Sequence, residues 1–481
     1  MYRIGAMAEA APNQLKRNSL GVGAITFLVV SAAAPLTGSG GGVPPSMLFG
    51  NGAGIAASFA IVTLILLAFS VGYVAMARHV KNAGAFYAFT AQGLGGRLGG
   101  AAALVAILAY NGMQIGLIGL FGAVASGTAA SFGLDLPWWV WAYAAIALVA
   151  VMGYRQVDLS AKVLMVLVLA EFAIVLLLDA AILTSGGAEG LNLAPFSWEN
   201  LTSGTPSIGI LFCFAAFIGF EATTIYSEEA RNPARTVPQA TYMSVLAIGI
   251  FYILTSWLMI MGVGVDNLIP TLEANGPDNF LFELSGQYLG DLPTLIMGIL
   301  FVTSIFAAVL AFHNAVARYK FVAGREGILP DRMGTTHARH MSPHMGSIVQ
   351  TILALVVVTI FVALERDPVL ELFVWLTQVG TLGILGLMAL SSFAIAAFFA
   401  KDAMGESVIS TKILPILSGI VMAGLFVKIF MDFGALTGAS GVLAVALPGL
   451  IIVAAIVGYA LAIRLARRDP ARFADLGKAK L

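Results

Sequence analysis

Twelve apolar runs, each about the length needed to cross a lipid bilayer, occupy most of this chain. A hydrocarbon core about 30 Å thick takes about 20 residues of helix. Runs of this kind fall at 20–49, 54–77, 98–129, 138–154, 159–184, 206–227, 239–264, 292–316, 346–364, 370–400, 411–432 and 441–465, numbered here as spans one to twelve. Backbone N–H and C=O groups find no water in hydrocarbon, so each run must close its hydrogen bonds internally, as a helix. Composition agrees: of 481 residues 59% are hydrophobic and 10% charged, with mean hydropathy +0.94, against about 25% charged in an ordinary soluble domain. The sequence predicts an all-α polytopic membrane protein.

The positions of the charges test the count of spans. Basic residues concentrate on the cytoplasmic side of membrane proteins. With a cytoplasmic N-terminus, the even-numbered connections and the two tails hold twenty-three of the 25 basic residues, leaving only Arg366 outside and Lys428 within a helix. The odd-numbered connections carry acids instead, among them Asp135, Glu189, Glu199, Asp266 and Asp291. A wrong count would scramble this pattern, so twelve spans with both termini in the cytoplasm, in the cell membrane, is the expectation. Residues 1–19, with Arg3, Lys16 and Arg17, read as a short cytoplasmic tail before an uncleaved first helix. The single Cys213 excludes an intramolecular disulfide and a cysteine metal cluster. There is no His-Glu-x-x-His and no Gly-x-x-x-x-Gly-Lys-Ser/Thr, which argues against intramembrane zinc hydrolysis and ATP-driven pumping. No metal, cofactor or nucleic acid is expected.

Two spans cannot be regular helices. Span one contains Pro35, Thr37, Gly38, Ser39 and the triple glycine Gly40–Gly42, then Pro44 and Pro45, which suit the first turn of a restarted helix. Span six runs apolar to Gly219 and is then interrupted by Glu221, Thr223 and Thr224. Broken backbone at membrane depth is tolerated only where it lines a protein interior or a site. Spans one to five and six to ten thus form two five-helix halves. An odd number per half inserts the second upside down, and the two breaks meet at the midplane, the arrangement of an inverted-repeat transporter. The expected organisation is a first repeat at 20–184, an outer loop at 185–205, an inverted repeat at 206–400, peripheral spans eleven and twelve at 401–465, and a cytoplasmic tail at 466–481.

Phe217-Ile-Gly-Phe-Glu221 and Glu228-Glu-Ala-Arg-Asn-Pro-Ala-Arg-Thr-Val-Pro238 resemble the sixth-helix signature of the amino acid–polyamine–organocation permeases. Gly38-Ser39-Gly40 resembles their first-helix glycine motif, and Asn82-Ala-Gly-Ala-Phe-Tyr-Ala-Phe the amphipathic stretch after their second helix. The resemblance covers spans one to ten. It implies a LeuT-type fold and a secondary active transporter for amino acids or related amines, driven by proton symport or exchange. It also implies that the first-span motif holds the substrate carboxylate.

The residues supply a chemical reading of that site. N–H groups of Ser39 to Gly42 at the start of a half-helix, with Thr37 and Gly38 beside them, form a positive dipole end suited to a carboxylate. Unwound carbonyls at Phe217, Ile218 and Gly219 suit an ammonium, and Phe214 or Phe217 could close the site as an aromatic gate. Glu221 has three available roles: to bind an amine, to take a coupling proton, or to satisfy the broken backbone, which breaks at this depth require. Glu171 stands alone in the middle of span five and is the second candidate for proton coupling; some proton-coupled members of the family carry a titratable lysine in this part of the helix. Asp179 is expected at the outer interface. In span three, Asn111 and Gln114 are candidates to line the cavity, while Tyr110 and Met113 read as packing. Lys428 and Asp432 are spaced for a local ion pair. An amine without a carboxylate is the alternative cargo, and would move Glu221 to the centre. A channel using the glycine-rich stretch, or a membrane enzyme, are the readings from other classes. Protons and lipids are the other expected partners, in a monomer or a homodimer.

Overall fold

The computed structural model describes residues 21–32, 34–80, 85–155, 161–221, 223, 230–337, 340, 342–437 and 441–478. The N-terminal tail and the Asn82–Gly84, Thr224 and Glu228–Glu229 portions of the motifs lie outside the described residues.

Among these residues every regular element is helical, as chain buried in hydrocarbon requires. Ten helical segments are long and apolar enough to cross a bilayer. One of them, Pro35–His79, turns at Gly50 and Gly52, and so holds the second part of span one and all of span two. Span six contributes the shorter helix Pro206–Ala215. Each of the twelve expected spans thus has a helix.

The two halves match element by element. Spans three (Gly96–Ala130) and eight (Asp291–Arg325) are both 35 residues long and pack along each other. Spans two (Ile55–His79) and seven (Pro233–Val263) pair, as do four (Trp138–Arg155) and nine (His344–Ala363). Each half also places a helix of 10 residues just before its third span, Ala85–Leu94 in the first and Phe280–Leu289 in the second.

Span three is the axis. Of its most apolar window 83% is buried, against 28% for spans four, nine and eleven and 17% for span twelve, so these four lie at the periphery. Glycines let span ten (Val374–Lys401) and the turn before it reach the backbone of span three. A Cβ at Gly112 would lie 2.5 Å from Leu376 O, and one at Gly119 2.5 Å from Pro368 O. Small residues at such spacing replace the hydrophobic driving force that lipid does not supply.

The segment expected as a tail is docked at the end of the bundle where the basic residues gather. Asp469 caps the short helix Pro470–Ala474. The Arg472 guanidinium donates to Gly324 O at 3.0 Å, to Arg325 O at 2.7 Å and to Asp331 Oδ1 at 2.8 Å. Gly477 N–H donates to Glu326 Oε2 at 3.2 Å, and Gln92 Nε2 donates to Gly477 O at 2.9 Å. The C-terminal segment therefore ties the end of span eight to the helix before span three.

Candidate functional site

The first break comes earlier than the glycines suggest. Span one starts as the helix Val22–Ala32, and Ala34 then takes a left-handed conformation (φ 43°) before the helix restarts at Pro35. Proline suits this first turn because its missing N–H would be unpaired there anyway. Gly38–Gly42, expected as unwound chain, instead form a widened π-helical turn that runs on into the helix through Pro44 and Pro45. Gly38 N–H already bonds to Ala34 O at 2.9 Å. The first-turn donors of the restarted helix are thus those of Leu36 and Thr37, not Ser39 to Gly42. Glu171 of span five faces this turn, with the Leu36 backbone in hydrogen-bonding range of its carboxylate. Ser304 Oγ of span eight donates to Glu171 Oε2 at 2.8 Å and lies 2.8 Å from Thr37 Oγ1. With the Ser304 proton directed at Glu171, the Ser304 oxygen accepts from Thr37. Spans one, five and eight are joined by this chain at the positive end of the restarted helix.

The sixth span stops at Ala215 and passes through turns at 216–219, with Gly219 at φ +112°. Only glycine takes that angle without strain. Glu221 folds back on the break: Gly219 N–H donates to its Oε2 at 2.9 Å, and the Tyr110 hydroxyl of span three donates to its Oε1. The Tyr73 hydroxyl donates to the Glu221 carbonyl at 3.1 Å. Tyr110 is in turn stacked on Tyr319, with ring centroids 5.0 Å apart. The carboxylate of Glu221 is therefore hydrogen-bonded at both oxygens, the arrangement of the third role available to it.

A cavity lies between the two breaks, against spans three, eight and ten. Of the predicted residues, Thr37, Gly38, Gly42 and Ile218 line it. Phe214, Phe217 and Glu221 border a smaller neighbouring cavity between spans two, six and ten, which Ile218 also reaches. Ser39, Gly40 and Gly41 are buried on other sides of the helix, where a Cβ at Gly40 would meet Phe301 and one at Gly41 would meet Leu120. Gly219 lines neither cavity. Gln114 is away from both: its Oε1 accepts from Gln350 Nε2 at 2.6 Å, and Gln350 Oε1 accepts from Lys320 at 2.7 Å. Asn111 also turns away, donating to Ile107 O at 2.5 Å. Met113, read as packing, does line the cavity. Among the described lining residues none is charged.

Residues 20–461 match a family model described as amino acid permease. The chain belongs to the amino acid permease family. It is 25% identical over 355 residues to the branched-chain amino acid permease BcaP of Bacillus subtilis (strain 168), covering 68% of this chain and 70% of that one. It is 22% identical to the low-affinity putrescine importer PlaP of Escherichia coli (strain K12), over 63% of this chain and 66% of that one. A solved manganese transporter of Eremococcus coleocola matches with a TM-score of 0.58 at 14% identity, over 95% of this chain and 100% of that one. That likeness shows the shared LeuT-type fold. The permease is a transporter and not an enzyme.

Several polar residues of the permease escaped the sequence reading. Asp179, expected at the outer interface, is packed inside the bundle: it is 3% exposed, and Thr255 Oγ1 of span seven donates to it at 2.7 Å. Lys320, counted among the cytoplasmic charges, is 5% exposed inside the bundle. His313, two turns earlier on the same helix face, sits 2.8 Å from Ser347 Oγ. The shared face of His313 and Lys320, seven residues apart, was a readable signal. Ser304 and Gln378 carried none, since one hydroxyl or amide in an apolar helix does not show which wall it joins. Lys428 does pair with Asp432, at 2.6 Å, and Ser207 at the start of span six also donates to Asp432.

Proposed function

We propose that the permease carries amino acids across the cell membrane by alternating access, with both termini in the cytoplasm and a proton as the coupling ion. The site lies where the repeats at 20–184 and 206–400 meet. One observation carries the reading: an uncharged cavity sits against the first turn of a restarted helix whose other side faces a buried carboxylate. The substrate carboxylate takes the Thr37–Gly38 side of that turn, and the carbonyls of 216–218 receive the ammonium. Glu171 occupies the same positive helix end from span five. Two anions at one helix terminus repel, so protonating Glu171 strengthens carboxylate binding. By linkage, substrate binding strengthens proton binding equally. That reciprocity is the physical content of symport.

The test is uptake into proteoliposomes under an imposed pH gradient. Expected is gradient-driven accumulation of amino acids by the wild type, with affinity rising as pH falls. Glu171→Gln, which mimics the protonated acid, is expected to keep counterflow exchange but lose the gradient response and the pH dependence. A wild type indifferent to the gradient removes the proton and leaves exchange. The putrescine importer among the relatives favours a second reading, an amine as cargo. Against it, Glu221 is already engaged at both oxygens. Uptake of amines and not of amino acids would decide for that reading.

A further inference from the structure

Gln378 of span ten lines the central cavity and is 1% exposed. Its Oε1 is buried without a hydrogen-bond partner among the described residues. Buried amide oxygens are nearly always paired, and leaving one bare is costly. The other polar side chains on the described cavity wall, Thr37 and Thr377, each already have a partner. Thr37 Oγ1 is joined to Ser304 Oγ at 2.8 Å, and Thr377 Oγ1 donates to Phe373 O at 2.7 Å. The rest of that wall is glycine, alanine and larger apolar residues such as Met113, Leu117 and Phe312. Gln378 is thus the described lining side chain with a buried polar atom left without a partner. An amide offers both a donor and an acceptor and no charge. Its complement is an uncharged polar group.

We propose that Gln378 determines specificity, binding a hydroxyl or amide on the substrate side chain, so that the cargo is a neutral polar amino acid. The inference rests on the amino-acid reading above. With carboxylate and ammonium held at the breaks of spans one and six, the substrate side chain is the part left to face spans three, eight and ten. A site arranged to hydrogen-bond a substrate group rejects the isostere that lacks it, because its own buried group is then left bare.

The experiment uses the full chain in proteoliposomes and compares near-isosteric competitors of counterflow: threonine against valine, and asparagine against leucine. The polar member is expected to compete at roughly tenfold lower concentration, or better, in the wild type. Gln378→Leu and Gln378→Met are expected to bring that ratio to about one or reverse it, by raising affinity for the apolar member as well as lowering it for the polar one. Thermal shift with the same four amino acids reads the ratio in detergent should either variant bind without transporting. Equal competition within the pairs in the wild type overturns the proposal, as does a ratio that survives both substitutions, the result expected if water alone serves the amide. Preference for valine and leucine overturns it too, while leaving the amino-acid reading standing. A wild type that exchanges only amines removes both.

Discussion

Glu221 shows how a single carboxylate acts inside a membrane protein. Its two oxygens take hydrogen bonds from the Gly219 N–H and the Tyr110 hydroxyl, so it fastens the sixth-span break to span three. An unsatisfied buried acceptor costs about 1–3 kcal/mol. Tyr110→Phe removes one donor and little volume, and is expected to lower stability by about that amount. Tyr110 does not line the central cavity. Transport should therefore slow while the order of preferred substrates stays the same. Unfolding in denaturant and competition assays check the two halves of this prediction, and a changed substrate order at unchanged stability would contradict it. In the sequence Tyr110 looked like packing, because nothing local shows which partner a hydroxyl in an apolar helix will meet.

At the scale of elements, the position of the first break was misread for a physical reason. Glycine permits unwinding but does not require it. Gly38–Gly42 stay helical, in a widened turn, and at Gly38, Gly40 and Gly41 neighbouring side chains fill the space glycine leaves: a Cβ at Gly38 would lie 1.8 Å from the Tyr252 hydroxyl oxygen. The chain breaks instead at Ala34, just before a proline whose missing N–H suits the new first turn. The existence of two broken spans was legible from residue types; which residues face the cavity depended on the rotation of each helix. The contact between spans three and ten obeys the same steric logic. Gly112→Val places a branched side chain where a Cβ already reaches 2.5 Å from Leu376 O. The backbone there cannot yield as a side-chain tip can, and overpacking of this kind costs about 1–3 kcal/mol or more. A sharp loss of monodisperse protein on size-exclusion chromatography is the expected outcome, with no such loss for Gly127→Ala, where a Cβ meets nothing within 4 Å.

At the scale of the whole molecule, the C-terminal segment closes one end of the bundle across both repeats. Arg472 satisfies the carbonyls of Gly324 and Arg325, at the end of span eight, and also reaches Asp331. These contacts differ in worth. Asp331 is 73% exposed, and exposed ion pairs contribute about 0–1 kcal/mol. Arg325 O is a terminal acceptor of a 35-residue helix and needs a donor, whereas Gly324 O also accepts from the Gly327 N–H at 3.1 Å. Arg472→Ala is therefore expected to destabilise by about 1–3 kcal/mol, and Asp331→Ala by about 0.5 kcal/mol or less. Denaturation of both variants beside the wild type checks the ranking, and equal effects would assign the docking to the ion pair.

The sequence by itself determined the membrane class, the twelve spans, the two broken ones and the family resemblance. These follow from quantities summed along the chain, namely apolar length, charge placement and glycine or proline content, none of which needs to know what lies opposite. Only the tertiary structure decided what the polar residues do. It turned Gln114 toward Gln350 and Lys320, buried Asp179 against Thr255, placed Glu171 and Ser304 at the restarted first helix, and left Gln378 facing the cavity. In each case the partner lies on another span, so the assignment rests on how helices rotate and pack, which no periodicity within one helix records.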